Sequence, residues 1–170
     1  MEETKIHDPE PFILNIMDRE DIFNRLHRLK PDTAAVFGKM SAQHMVEHLL
    51  LLVSISSEKR PEKLYFREEK AEKFKSFTIY SDREMMVGFR APMIPETPGP
   101  LSFDSLSAAI DQLRTELDDF DLFFRDHPSA KPVNPVMGPL DHGEWIIFHN
   151  KHFTHHFKQF NLLNRAGSSS

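Results

Sequence analysis

Apolar positions along the chain recur at three- and four-residue spacing, and four stretches hold that rhythm long enough to predict helices. The first covers about residues 19 to 29, where Ile22, Phe23, Leu26 and Leu29 make a face between the cap candidate Asp18 and the breaker Pro31. The second runs from Ala42 to about Ser57 behind Ser41, a good N-cap. Met45, Leu49, Leu52 and Ile55 are joined there by Val46, Leu50, Leu51 and Val53, so this helix is expected to be largely buried. The third has the clearest seam, Leu106, Ile110, Leu113, Leu117, Phe120 and Phe124, with Ser102 or Ser105 to cap it. The fourth is DHGEWIIFHNKHFTHHFKQFNLLN, residues 141 to 164, opened by a capping box of Asp141 and Glu144 and, after Glu144, free of glycine or proline until Gly167.

The segments between are less regular. Residues 1 to 17 form a lead-in whose Pro9 and Pro11 favour extended backbone, with Phe12 and Ile16 as anchors onto the body. Residues 30 to 40 are a connection containing Pro31 and Gly38. Arg67 to Phe77 is charge-rich with Phe74 and Phe77 as anchors, which predicts one or two surface helices. MMVGFRAPM, residues 85 to 93, is apolar but interrupted by Gly88 and Pro92, and Pro95, Pro98, Gly99 and Pro100 enforce a break. The region from Lys59 to Pro100 is expected to cross over and roof one end of the domain. NPVMGPL, residues 134 to 140, cannot be regular helix. Nothing alternates at period two long enough to demand a sheet. The expectation is all-α: a four-helix up-down bundle with a long crossover between the second and third main helices, one domain over 1–166, and a disordered tail at 167–170.

Composition narrows the functional classes. A chain of 170 residues can bury a core as one domain. No cysteine is present, which excludes disulfides and thiolate ligands within the chain and suits a reducing cytoplasm. The start, MEETKIHDPE, lacks the basic and apolar segments of a signal peptide, and no apolar run reaches membrane-spanning length. The formal charge is -5 with lysines and arginines dispersed, so neither nucleic acid nor a membrane is an expected partner. Fifteen phenylalanines against two tyrosines and one tryptophan are explained first as core.

Histidine supplies the candidate chemistry. On the last helix Trp145, Phe148, His149, His152, His155, His156, Gln159 and Leu163 share a broad face, with Asn150, Thr154, Lys158 and Asn161 behind it. His152 and His156 stand four apart, a spacing that brings two rings to one point. The second helix carries another pair, His44 and His48. Separately hydrogen-bonded core histidines would account for either pair alone; two pairs on core-facing sides favour a metal site, and imidazole suits Zn, Ni, Fe or Cu. His152, Phe153, Thr154, His155 and His156 lack the glutamate of HExxH, which argues against an ordinary zinc peptidase. Glu116, Asp118, Asp119 and Asp121 read as the solvated side of the third helix.

FGKMSAQHMVEHLL, residues 37 to 50, and MGPLDHGEW with HNKHFTHHFKQF, residues 137 to 160, resemble the paired signatures of the DinB/YfiT-like superfamily of metalloenzymes, nearest its uncharacterised DUF1569 branch. The resemblance spans almost the whole chain. It implies a four-helix bundle holding a divalent metal, often nickel or zinc, on His48, His152 and His156, with Gln159 following as in the superfamily. His44 stands where glutamine is usual, and is expected as an extra ligand, a donor behind the ligands or a core polar group. His149 is expected to line the pocket or to pack as a hydrogen-bonded core residue. His155 points about 100° away from His156, which suits a helix contact or a dimer surface better than the same ion. Implied activities are hydrolysis or thiol transfer on a small molecule; the competing reading is a structural or sensory ion in a binding module. Apolar excess on the second helix leaves room for a homodimer.

Overall fold

The helices start where the capping residues stand, in a computed structural model that describes residues 12–163. The Asp18 carboxylate accepts from the Asp21 amide at the start of α1 (Arg19–Leu26), and the Ser41 hydroxyl from that of His44 at the start of α2 (Ala42–Ser56). The expected surface helix is α3 (Glu68–Thr78), which lacks a side-chain cap. Ser105, not Ser102, caps α4 (Leu106–Asp126). Asp141 and Glu144 close both halves of the capping box on α5 (His142–Gln159), at 2.9 and 3.0 Å.

Two helix boundaries and one connection differ from the expectation. α1 stops at Leu26 rather than 29: the amides of Arg28 and Leu29 bond three residues back, to Arg25 and Leu26, as the chain turns toward Pro31. α5 stops at Gln159 rather than near 164 because Asn161 takes the left-handed conformation (φ 56°). Its amide then bonds Lys158 and that of Leu162 bonds Phe157 at 2.8 Å, a Schellman ending built on asparagine instead of glycine. Residues 127–141 hold a small antiparallel pair, β1 (Val133–Asn134) with β2 (Gly138–Pro139), too short for any alternation to announce. Asn134 accepts the amides of Val136 and Met137 to make its turn, and Gly138 (φ 82°) completes it. Pro9, Pro11 and the tail at 167–170 lie outside the described residues.

α2 sits at the centre, with α4 and α5 packed on it. All six seam residues of α4 are buried. α2 and α5 run antiparallel: Ser56, at the end of α2, meets His149, while Phe37, ahead of α2, meets Gln159 near the end of α5. The side of α5 expected to face away is covered too. Residues 12–17 lie along it, with the Leu14 amide bonded to Thr154 Oγ1 (2.9 Å) and the Ile16 amide to Asn150 Oδ1 (2.8 Å). The extended lead-in needs acceptors for its backbone, and polar side chains on α5 supply them. Leu14 and Ile16 are buried, whereas Phe12 is exposed.

The acidic side of α4 is also more engaged than expected. Glu116 is buried, 3.2 Å from Lys59, which also pairs with Asp119; Asp121 pairs with Arg19 at 2.7 Å. Among the described residues no helix is long and apolar enough to cross a membrane.

Candidate metal centre

Three histidines from two helices meet in front of α5. His152 and His156 project from successive turns, and His48 reaches them from the facing turn of α2. The Nε2 atom of His152 lies 3.0 Å from that of His48 and 3.1 Å from that of His156. One nitrogen from each ring falls within 4.8 Å of the other two. Three nitrogens bound tetrahedrally to zinc at about 2.0–2.1 Å would stand roughly 3.4 Å apart, so the spacing fits one shared ion.

Hydrogen bonding settles which nitrogen His156 presents. Gln159 donates its Nε2 to the Phe37 carbonyl at 3.0 Å, which turns its Oε1 toward His156 Nδ1 at 2.7 Å. An amide oxygen only accepts, so Nδ1 carries the proton and Nε2 faces the cluster with a bare lone pair. Gly38 allows this approach: at φ 79° it is a natural glycine position, and a Cβ there would stand 2.9 Å from Gln159 Nε2.

Burial keeps these rings neutral. Desolvation first, and then the His155 ring, lower the His48 pKa to about 4. His152 and His156 are pushed well below the usual imidazole range, again mainly by burial and then by their histidine neighbours. Neutral imidazole is the ligating form. Phe148 stacks on His152 at 5.1 Å and 23°, walling the site on one side.

The other histidines are separate. His44 is held between Ser41 Oγ (Nδ1, 2.6 Å) and the Gly99 carbonyl (Nε2, 2.8 Å), outside the cluster. His149 is a packed core residue: its ring stacks on Trp145, itself in the core, and its Nε2 lies 2.8 Å from Ser56 Oγ. His155 leans against Phe37 at 5.3 Å and lines the cavity before the cluster, rather than serving a helix contact.

That cavity, about 770 Å³, has His48, His152 and His156 in its lining. Its outer wall comes from the crossover between α3 and α4, including Met85, Phe89, Met93 and Ile94. The expected roof over one end therefore stands over the histidines. Sequence reading did not single these residues out, although an apolar run in a segment too broken for a core helix was the available signal.

The family described as "Protein of unknown function (DUF1569)" matches residues 10–162. No curated protein and no solved structure matches the chain.

Proposed function

Because the chain belongs to the DUF1569 family, whose description names no activity, we propose from its own residues that it is a divalent-metal-dependent enzyme acting on a small molecule. His48, His152 and His156 hold the ion; their imidazole donors suit a transition metal, and the superfamily resemblance points to nickel or zinc. The observation that carries this reading is the convergence of three neutral imidazoles on one point that opens into a cavity. A structural ion would call for a closed set of four protein ligands; the nearest further histidine on α2, His44, is bonded to Ser41 and Gly99 instead. Likeness of both histidine phrases to the DinB/YfiT-like superfamily points the same way, and the cysteine-free composition suits work in the cytoplasm.

A bound divalent ion would supply Lewis acidity to a water, thiol or carbonyl group. The chain's own contributions are orientation and exclusion of water. Gln159 fixes the His156 tautomer, Phe148 backs His152, and the crossover shields the ion-facing side. Hydrolysis and thiol transfer are the reaction types this arrangement serves.

The deciding experiment is elemental analysis of protein purified without added metal or a histidine tag, beside His48→Ala, His152→Ala and His156→Ala. Near-stoichiometric nickel or zinc, lost in all three, is the expected result, and would be followed by assays of ester hydrolysis and of thiol addition to electrophiles. A native protein that neither carries a transition metal nor takes one up on reconstitution overturns the proposal.

A further inference from the structure

The cavity before the histidines is much larger than a water-sized reactant requires. Its volume of about 770 Å³ falls among pockets that bury whole small-molecule ligands. It is also elongated, since the lining residues of α2 run from His44 through His48 to Leu52, and those of α5 from Phe148 to Gln159. The histidine cluster lies partway along this trough.

Away from the cluster, little polar chemistry is left for a ligand. Two carboxylates line the cavity, and both are engaged: Glu47 accepts from the Ser102 amide (2.6 Å) and Gln43 (3.1 Å), and Glu96 faces Lys39 at 4.0 Å. His44 is spent on Ser41 and Gly99. Among the described residues Arg60 lines the cavity without an ion-pair partner. Uncommitted charge is thus cationic.

Most of the remaining wall is apolar. Phe74 meets Phe89 at 5.1 Å on the cavity wall, and Phe66, outside the lining, backs Phe74 at 5.5 Å. Met85, Met93 and Ile94 extend the wall. Phe89 is 44% and Met86 51% exposed, on a segment whose backbone forms no helix or strand. Apolar surface concentrated on such a wall marks a binding site, and flexible methionines let it fit chains of differing shape.

We infer that the ligand of this site is an elongated molecule, neutral or anionic, with one metal-binding head group at the histidines and an extended apolar body along the Phe74–Phe89 and Met93 wall. This rests on the metal reading above. Straight-chain hydroxamic acids, from acetyl to octanoyl, added to the cobalt-loaded full-length chain separate head from body. The head is read from the visible cobalt spectrum with the acetyl compound, and the body from the dependence of Kd on chain length.

Affinity is expected to rise about fourfold per added methylene, with a shallower slope in Phe89→Ala and Met93→Ala. Both substitutions sit on the irregular crossover and leave the helical core intact. A cobalt spectrum that responds to the acetyl compound, with Kd independent of chain length, overturns the apolar body and leaves the metal centre standing. A full slope retained in both variants overturns the assigned wall. Equal binding of an ω-ammonium chain overturns the charge preference. A chain that takes up no cobalt, or whose cobalt ignores every hydroxamate, overturns the metal reading and this inference together.

Discussion

Gln159 is the residue on which the geometry of the cluster turns. Its amide is read in both directions, donating to the Phe37 carbonyl and accepting from His156, so it links the connection before α2 to the ring at the end of α5. Partners of this kind are worth roughly 10–100-fold in metal affinity. Gln159→Leu should weaken zinc binding by that factor in chelator competition. Its His156 ring should also lose the single tautomer that the Gln159 bond imposes on the parent and nitrogen chemical shifts would detect, whereas a purely structural role would leave the tautomer fixed. Gly38→Ala tests the same contact from the other side. The left-handed backbone alone costs about 1–2 kcal/mol for a residue with a Cβ, and the added methyl would press on Gln159. Denaturant unfolding should therefore register a loss of at least that size, accompanied by weaker zinc binding. Unchanged values in both measurements would separate Gly38 from the site.

α5 is held by its first turn at one end and by Asn161 at the other, and His152 and His156 hang between, facing His48 on α2. Replacing Asp141 by alanine removes the acceptor for the Glu144 amide and should cost about 1 kcal/mol, up to about 2, seen as a lower urea midpoint at constant slope. A smaller loss would mean that the bonds from Tyr80 and Lys75 to Glu144 (2.6 and 3.0 Å) hold the turn unaided. This start was legible because capping boxes are local: donor and acceptor lie three residues apart in the sequence. The α2 and α4 starts, the α4 seam and the two histidine pairs were legible for the same reason, each being a spacing on one helix; the choice of His48 over His44 as the partner of His152 and His156 came from the family resemblance. The ends of α1 and α5 were not. Asparagine can replace glycine at a left-handed stop, and nothing in NLLN announces which residue turns. Burial of Thr154 and Glu116 was hidden as well, since it depends on long-range partners, the residue 12–17 segment and Lys59, that no periodicity encodes. The cavity wall was missed because its residues occupy a segment without a period.

At the scale of the whole molecule the helices meet at His149, which makes that ring a gauge of global stability. It projects from α5 onto Ser56 of α2 and Phe120 of α4, and the Arg19 charge of α1 bears on it. Ser56 gives its hydroxyl proton to the Val53 carbonyl at 2.7 Å, so its oxygen accepts from His149 Nε2, and Nδ1 is left buried with no partner. A second proton would have nowhere to bond. Burial, and then Arg19, accordingly lower the pKa to about 3. Above about pH 6.5, the value for a free histidine, folded and unfolded chains hold the same number of protons here. Below it the unfolded ring protonates and the folded one does not. Stability then falls with falling pH, by up to about 1.4 kcal/mol per unit, until the folded ring titrates near 3. His149→Gln keeps a donor for Ser56 and removes the titration. Chemical denaturation in the presence of chelator at pH 7 and pH 5 should show the native chain losing up to about 2 kcal/mol more than this variant between the two conditions. The cluster histidines are the same in both proteins, so the difference isolates His149. Equal losses would mean that the ring is already satisfied when charged, and that the bundle is not centred on a neutral histidine.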